Sequence, residues 1–340
     1  MRIGVVGCGY WGAKHVRVLQ SLPEVECVAL IDPREHARAM LGKAFPALLS
    51  FNDIDAALPH VDALVVATPP RTHAALGLTA LQAGKHVLIE KPLATNVKDG
   101  QALIAAAKAS NLILMVGHTF EYNPAVWRLR EAVESGELGD IYYVDTARLN
   151  LGMYQHDINV IWDLAPHDIS IVNYILQSRP ERVQAWGGAH VHSILEDVAH
   201  LRLEYQELNI TAQVQVSWLY PYKVRLVTVV GSKKMAVYND LATEETLRIY
   251  DKGVTPVVEG AAVTDVPMSY RHGAIVSPFI KFEEPLRIED RHFVDCILEG
   301  KTPNTDGENG LAVLEVLEAA TTSLRDGYPV HVEQRALALP

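Results

Sequence analysis

The chain has 340 residues, of which 49% are hydrophobic and 21% charged, and a mean hydropathy near zero; this profile excludes a disordered or membrane-embedded chain and allows two cores. A formal net charge of −11 argues against a general nucleic-acid surface, which needs clustered Lys and Arg, yet permits an anionic small molecule at a few local cations or a helix N-terminus. No apolar stretch approaches the roughly 18–20 residues of a membrane span, no leader precedes the first strand, and Cys8, Cys27 and Cys296 are too scattered for disulfides or a metal site, so a reduced cytoplasmic protein without metal is expected.

Arg2 to Val6 reads as a buried strand, followed by Gly7-Cys8-Gly9-Tyr10-Trp11-Gly12 and a helical run from Ala13 to Leu19 that leads to a second strand, Glu26 to Ile31. In such a strand–helix–strand unit Gly7 makes the tight turn, Gly9 lets backbone approach a pyrophosphate and Gly12 permits close packing of helix on sheet, with Tyr10 and Trp11 at the helix N-terminus beside the phosphates. Asp32 ends the second strand 25 positions after Gly7, near the spacing of a carboxylate that binds the adenosine ribose. A 2′-phosphate there meets like charge, which favours NAD over NADP, although Arg34 offers a cation two residues on.

The alternation continues with a short strand near Ala47 to Ser50, then Val61 to Ala67, a helix from Thr72 to Ala83, strand His86 to Glu90, a helix from Val97 to Ala109 and strand Leu112 to Val116. This predicts a doubly wound parallel sheet. Thr68-Pro69-Pro70 follows a strand end and either lines the cofactor groove or simply stops one element and starts the next. His73, Glu90, Lys91 and His118 are also expected to bind the cofactor. Lys91, in Glu90-Lys91-Pro92, stands at the carboxyl end of a strand, where ligands of open parallel sheets bind; it either meets a substrate oxygen or is a solvated surface lysine.

After Gly117 the pattern changes to a helix from Pro124 to Ser135 and a series of extended runs, Ile141 to Leu149, Arg182 to Trp186, Ala199 to Tyr205, Ile210 to Trp218, Tyr222 to Val230 and Lys234 to Tyr238, with helices again around Arg287 to Glu299 and Glu308 to Arg325. The expected fold class is therefore α/β, with a nucleotide-binding domain over 1–120 and, over 121–340, an α+β domain built on a large open, mostly antiparallel sheet. An apolar open face commonly pairs with another subunit, so a homodimer or homotetramer through that sheet is expected. Tyr122 and Asn123, on the crossing between domains, border the nicotinamide or substrate or else pack a hinge.

Trp162 to Asp168 precedes an apolar helical run. Pro166 suits a first helical position, which places His167 in the first turn, where the helix N-terminus disfavours imidazolium. Asp163, four residues earlier, can orient the ring and opposes that effect; the alternative for the pair is an ordinary helix cap. Gln155, His156 and Asp157 add polar groups suited to a hydroxylated ligand. Arg148 faces the same cleft or points outward from the sheet. His190, His192 and His200 read as packing or surface residues.

Gly7 to Gly12, Asp32, Thr68-Pro69-Pro70, Glu90-Lys91-Pro92 and Asp163…His167-Asp168, in this order, resemble the glucose–fructose oxidoreductase/inositol dehydrogenase/rhizopine-catabolism (Gfo/Idh/MocA) family over nearly the whole chain. The resemblance implies a Rossmann domain, a substrate domain on an open sheet, and hydride exchange between nicotinamide and a sugar or cyclitol carbon. It implies that Lys91 holds the substrate oxygen, that His167 takes the hydroxyl proton and that Asp163 orients His167. The segments 117–124 and 162–168 are also similar to the branch acting on nucleotide-linked amino sugars, often at C3. A bulky approach, Val160-Ile161-Trp162, departs from the glycine-rich lead of many relatives. The alternatives are a cyclitol dehydrogenase, a biosynthetic ketosugar reductase, or a non-catalytic NAD(H)-sensing protein.

Overall fold

A computed structural model describes residues 1–45, 48–155, 157–191, 194–256 and 268–333. It divides into two compact units, one made of residues 1–122 and 283–318 and the other of residues 123–282 and 319–340.

The first unit begins with β1 (Arg2–Val6), α1 (Tyr10–Leu19), β2 (Cys27–Ile31), α2 (Glu35–Ala44), β3 (Leu49–Phe51) and α3 (Ile54–Ala57). It continues with β4 (Ala63–Val66), α4 (His73–Gln82), β5 (His86–Glu90), α5 (Val97–Ala109) and β6 (Leu114–Gly117). The six strands lie in the order β3-β2-β1-β4-β5-β6, and every pair is parallel. Strands covered on both faces are apolar throughout rather than alternating, and β4 is accordingly buried at all four positions, Ala63 to Val66. Leu48 lies outside a strand and β3 begins at Leu49; Ala47 of the expected run falls outside the described residues.

The second unit contains α6 (Pro124–Glu134), β7 (Ile141–Leu151), α7 (Val160–Leu176), β8 (Arg182–Gly188), β9 (Val198–Tyr205), β10 (Ile210–Ser217), β11 (Leu219–Gly231), β12 (Met235–Asn239), β13 (Leu247–Pro256) and β14 (Met268–Val276). The chain ends with α8 (Pro285–Glu299), α9 (Gly307–Asp326) and β15 (Val330–His331). The nine strands run β14-β13-β12-β11-β7-β10-β9-β8-β15; β7 and β10 are parallel and the other pairs antiparallel. Burial alternates along β9 and β10, as expected for a sheet with one packed face. Large aromatic side chains stay exposed on this sheet, among them Tyr142, Trp186, Tyr222 and Tyr270.

Two expectations need correction. The domain over 121–340 is not one body, because residues 283–318 belong to the first unit. The cause is apolar burial: Phe293 and Val294 of α8 join Ile3, Val5, Val16, Leu30 and Met115 in one core cluster. The second concerns α7, which starts at Val160, capped by the Asn159 side chain accepting from the Trp162 N–H at 3.2 Å. Pro166 sits inside the helix, where it removes one backbone donor. Burial of Val160, Ile161, Ala165, Ile169, Val172 and Ile175 outweighs that loss. His167 is therefore the eighth helical residue, beyond the first turn in which the helix dipole acts.

Arg148 on β7 corrects a third. It is buried, and its Nε and Nη2 donate to Asp168 Oδ2 and Oδ1 at 2.7 and 3.2 Å. Rather than pointing outward or into a cleft, it ties α7 to the sheet. Burial raises the Asp168 pKa against the pull of Arg148. Breaking a buried pair strands one charge, so Arg148→Ala should cost about 3–5 kcal/mol in urea unfolding, whereas the joint Arg148→Met, Asp168→Leu replacement should recover most of it. An Arg148→Ala chain as stable as the original would show that the pair does not hold the helix.

Candidate active site

The parallel register of the first unit brings the ends of β1, β2, β4, β5 and β6 to one edge, so Gly7, Asp32, Thr68, Lys91 and His118 follow one another across it. Strand order reverses between β1 and β4, the position at which such sheets bind ligands.

The glycine loop has the three properties expected of it. Gly7 has φ +99°, and a Cβ there would lie 2.5 Å from the Ala67 carbonyl oxygen. At Gly12 a Cβ would fall 1.8 Å from the Gly7 carbonyl oxygen, whereas at Gly9 it would meet nothing within 4 Å. α1 has no side-chain cap, so its first N–H groups face outward as an anion site. Tyr10 and Trp11 are exposed, with the Lys14 ammonium over both rings at 4.4 and 4.7 Å. The loop and uncapped helix fit a dinucleotide pyrophosphate.

Asp32 is buried and fully engaged. Its Oδ2 accepts from Cys8 N–H at 2.9 Å and Arg34 Nη2 at 2.8 Å, and its Oδ1 from Arg34 N–H at 2.9 Å and Arg34 Nε at 3.0 Å. Burial alone would raise its pKa, but the Arg34 and Cys8 hydrogen bonds hold it at about 2. Since a carboxylate has about four acceptor positions, a ribose hydroxyl must displace Arg34, whose side chain is 67% exposed. Arg34 is thus more than a neighbouring cation.

The next strand ends are fixed by histidines. Thr68 Oγ1 accepts from Thr72 Oγ1 at 2.7 Å. His73 is buried, with Nε2 2.8 Å from the Thr68 carbonyl oxygen and Nδ1 2.8 Å from that of Pro92. Glu90 is also buried, its Oε1 3.0 Å from His15 Nε2, so the carboxylate is spent on the protein rather than offered to a cofactor. Lys91 is half-buried. His118 is buried, and neither ring nitrogen has a hydrogen-bond partner among the described residues; burial, assisted by the Lys91 charge, lowers its pKa to about 4. A neutral imidazole with an idle donor and acceptor beside the lysine fits a polar ligand edge such as a carboxamide.

In the second unit Asp163 and His167 stand one helical turn apart on α7, both half-buried. Trp218, itself buried, donates from Nε1 to Asp163 Oδ2 at 3.0 Å. Tyr154 packs against that indole at 5.1 Å. Gln155 lies between β7 and α7; its neighbour His156 is outside the described residues.

Two residues expected at the substrate make contacts within the protein. Tyr122 is 1% exposed, its hydroxyl 3.0 Å from Thr305 Oγ1, so its ring belongs to the core. Asn123 caps α6, accepting from Ala125 N–H at 2.9 Å, and donates to the Tyr238 hydroxyl at 2.9 Å. His190 pairs with Asp197 at 2.7 Å and His200 stacks on Trp186 at 5.4 Å, whereas His192 lies outside the described residues. Sequence reading missed His15, Asp290 and Trp218. His15 carried a faint signal, a polar residue on the packed side of the glycine-loop helix.

Comparison with known proteins follows the same division. Residues 1–118 match the model of the oxidoreductase family with an NAD-binding Rossmann fold, and residues 126–237 match the GFO/IDH/MocA C-terminal domain. The chain is 29% identical to UDP-N-acetylglucosamine 3-dehydrogenase of Acidithiobacillus ferrooxidans, over 92% of this chain and 94% of that protein. It is 25% identical to scyllo-inositol 2-dehydrogenase (NAD(+)) of Bacillus subtilis, over 98% and 96%. The crystal structure of GenD2 from gentamicin A biosynthesis in complex with NAD superposes with a TM-score of 0.82 at 26% identity, covering 98% of this chain and 97% of that one.

Removing the guanidinium frees two of the four acceptor positions on Asp32, because the Arg34 backbone N–H stays. Arg34→Ala should therefore tighten NAD binding and weaken NADP binding, each by roughly tenfold, the weight of one charge-assisted hydrogen bond. Titrating both dinucleotides by fluorescence tests this, and unchanged discrimination would refute the assigned competition.

Proposed function

Since the chain belongs to the GFO/IDH/MocA oxidoreductases, we propose that it is an NAD-dependent dehydrogenase that exchanges a hydride with a secondary alcohol of a sugar, first among them a nucleotide-linked sugar oxidised at C3. The observation that carries this reading is the lysine at the carboxyl end of β5, on the same sheet edge as the glycine loop. The 29% identity to a UDP-N-acetylglucosamine 3-dehydrogenase over most of both chains supports the substrate class, and the polar approach at half-buried Gln155 and exposed Asp157 suits a hydroxylated ligand. A cyclitol is the second reading, supported by the inositol dehydrogenase relatives.

In this mechanism the Lys91 ammonium donates a hydrogen bond to the carbinol oxygen and stabilises negative charge as it develops there. His167 accepts the hydroxyl proton on a ring nitrogen. Asp163, anchored by the Trp218 indole, holds the charge that favours the resulting imidazolium. Bound nicotinamide supplies the acceptor for the carbinol hydride. Ketone reduction returns the same proton from His167 and the same hydrogen bond from Lys91. His167 lies beyond the first turn of α7, outside the reach of the helix dipole.

NAD is the preferred dinucleotide because Asp32 keeps its charge throughout the working pH range. The enzyme works in the cytoplasm as a homodimer or homotetramer; the aromatic side chains exposed on the nine-stranded sheet support self-association through that face. Among the described residues no helix is long and apolar enough to cross a membrane.

With NAD and a panel including UDP-N-acetylglucosamine and inositols, the protein should form NADH. Lys91→Ala and His167→Ala should each lower kcat by about 10²–10⁴, the range of a lost acid–base or oxyanion contact, with NAD affinity and circular dichroism retained. Full turnover in both variants would reject the assigned roles. Light scattering should give twice or four times the chain mass of 37.5 kDa, and a monomer would reject the assembly.

A further inference from the structure

The residues on either side of Lys91 are each held by a buried imidazole carried on a different helix. On one side, Glu90 Oε1 lies 3.0 Å from His15 Nε2 and Glu90 Oε2 accepts the Lys91 backbone N–H at 3.2 Å. His15 has no exposed surface, and its Nδ1 lies 2.8 Å from Asp290 Oδ1, a fully buried carboxylate on α8. Carboxyl groups at both ring nitrogens favour donors on both, the imidazolium form of His15. Burial opposes this charge, but Asp290 and Glu90 outweigh it and raise its pKa well above the ordinary value.

On the other side, His73 of α4 reaches the Pro92 and Thr68 carbonyl oxygens, both at 2.8 Å. In either neutral tautomer it donates to one of them, and as a cation to both. A third wall is Gly117 of β6, where a Cβ would meet Glu90 Cα and Oε2 at 3.1 Å. Helices α1, α4 and α8 and strand β6 thus all bear on the three-residue segment that carries the lysine.

We propose that His15 and His73, with Asp290 behind His15, are positioning residues that fix the backbone at Lys91. The inference rests on the dehydrogenase reading for its catalytic consequence, not for its structural content. A lysine side chain is a charge on a flexible four-carbon stem, so the ammonium can be aimed only as well as its backbone is held. Misplacement by about 1 Å costs on the order of 10²-fold in rate. His15 rides on the helix whose N-terminus forms the anion site, so cofactor loop and lysine are set by one rigid element.

Hydrogen–deuterium exchange on the protein without substrate or dinucleotide tests the brace directly. In His15→Gln and His73→Gln, exchange in a peptide spanning residues 90–94 should accelerate at least about tenfold, while peptides from β1 and β2 keep their rates. The same variants should lose roughly 10–100-fold in kcat with the NAD dissociation constant changed less than about threefold. Unaltered exchange at 90–94, or acceleration of equal size throughout β1 and β2, would overturn the proposal, as would normal kcat alongside faster exchange when Lys91→Ala is impaired. Should His15→Gln fail to fold, Asp290→Asn, which keeps side-chain size, gives the same decision. The exchange arm needs no turnover, so it stands apart from Lys91→Ala, whose full activity would remove the lysine's catalytic role and leave the brace intact.

Discussion

Parallel pairing is the constraint from which the first unit's chemistry follows. With all strands of β3-β2-β1-β4-β5-β6 pointing the same way, residues separated by dozens of positions arrive on one edge, among them Gly7, Asp32, Thr68, Lys91 and His118. The register depends on apolar strands buried on both faces, and on glycines where backbone must approach backbone. Gly12 has no room for a Cβ against the Gly7 carbonyl. A larger residue there would push α1 from the sheet and carry His15 away from Glu90.

Polar burial does the finer positioning. Near Lys91 the protein buries His15, His73, Glu90, His118, Glu289 and Asp290, a costly concentration unless each charge is answered. His15 answers two carboxylates. Burial pushes Glu289 well up, toward the neutral acid, even though Thr119 Oγ1 donates to its Oε2 at 2.8 Å. His118 stays neutral. Beside these groups Lys91 stands at the end of β5, on the edge that carries the glycine loop.

Fold class and much of the edge were legible in the sequence because they depend on local signals: apolar runs, a glycine triplet, an acid at a strand end, a lysine at another. What was not legible depends on tertiary burial. Nothing local distinguishes Tyr122 as core from Tyr122 as pocket wall; the Thr305 hydroxyl that receives it comes from 183 residues away. Arg148 lies on a strand whose alternation permits either face, and its pairing with Asp168 holds it on the buried one. Pro166 was read as a helix start because that is its commonest helical position, yet Asn159 had already capped the helix seven residues earlier. Strand β14, exposed at nearly every position, lacks the apolar alternation that marks a strand, and residues 283–318 joined the first unit through side chains that look alike in any amphipathic helix.

The proposed dehydrogenase reaction requires one carbinol to be served by both Lys91 and His167. A crystal structure of the protein with NAD and a sugar that supports NADH formation addresses it most directly. The predicted result is one substrate hydroxyl within hydrogen-bond reach of both the Lys91 ammonium and a His167 ring nitrogen. A sugar bound productively with either group turned to another atom, or to solvent, would contradict it.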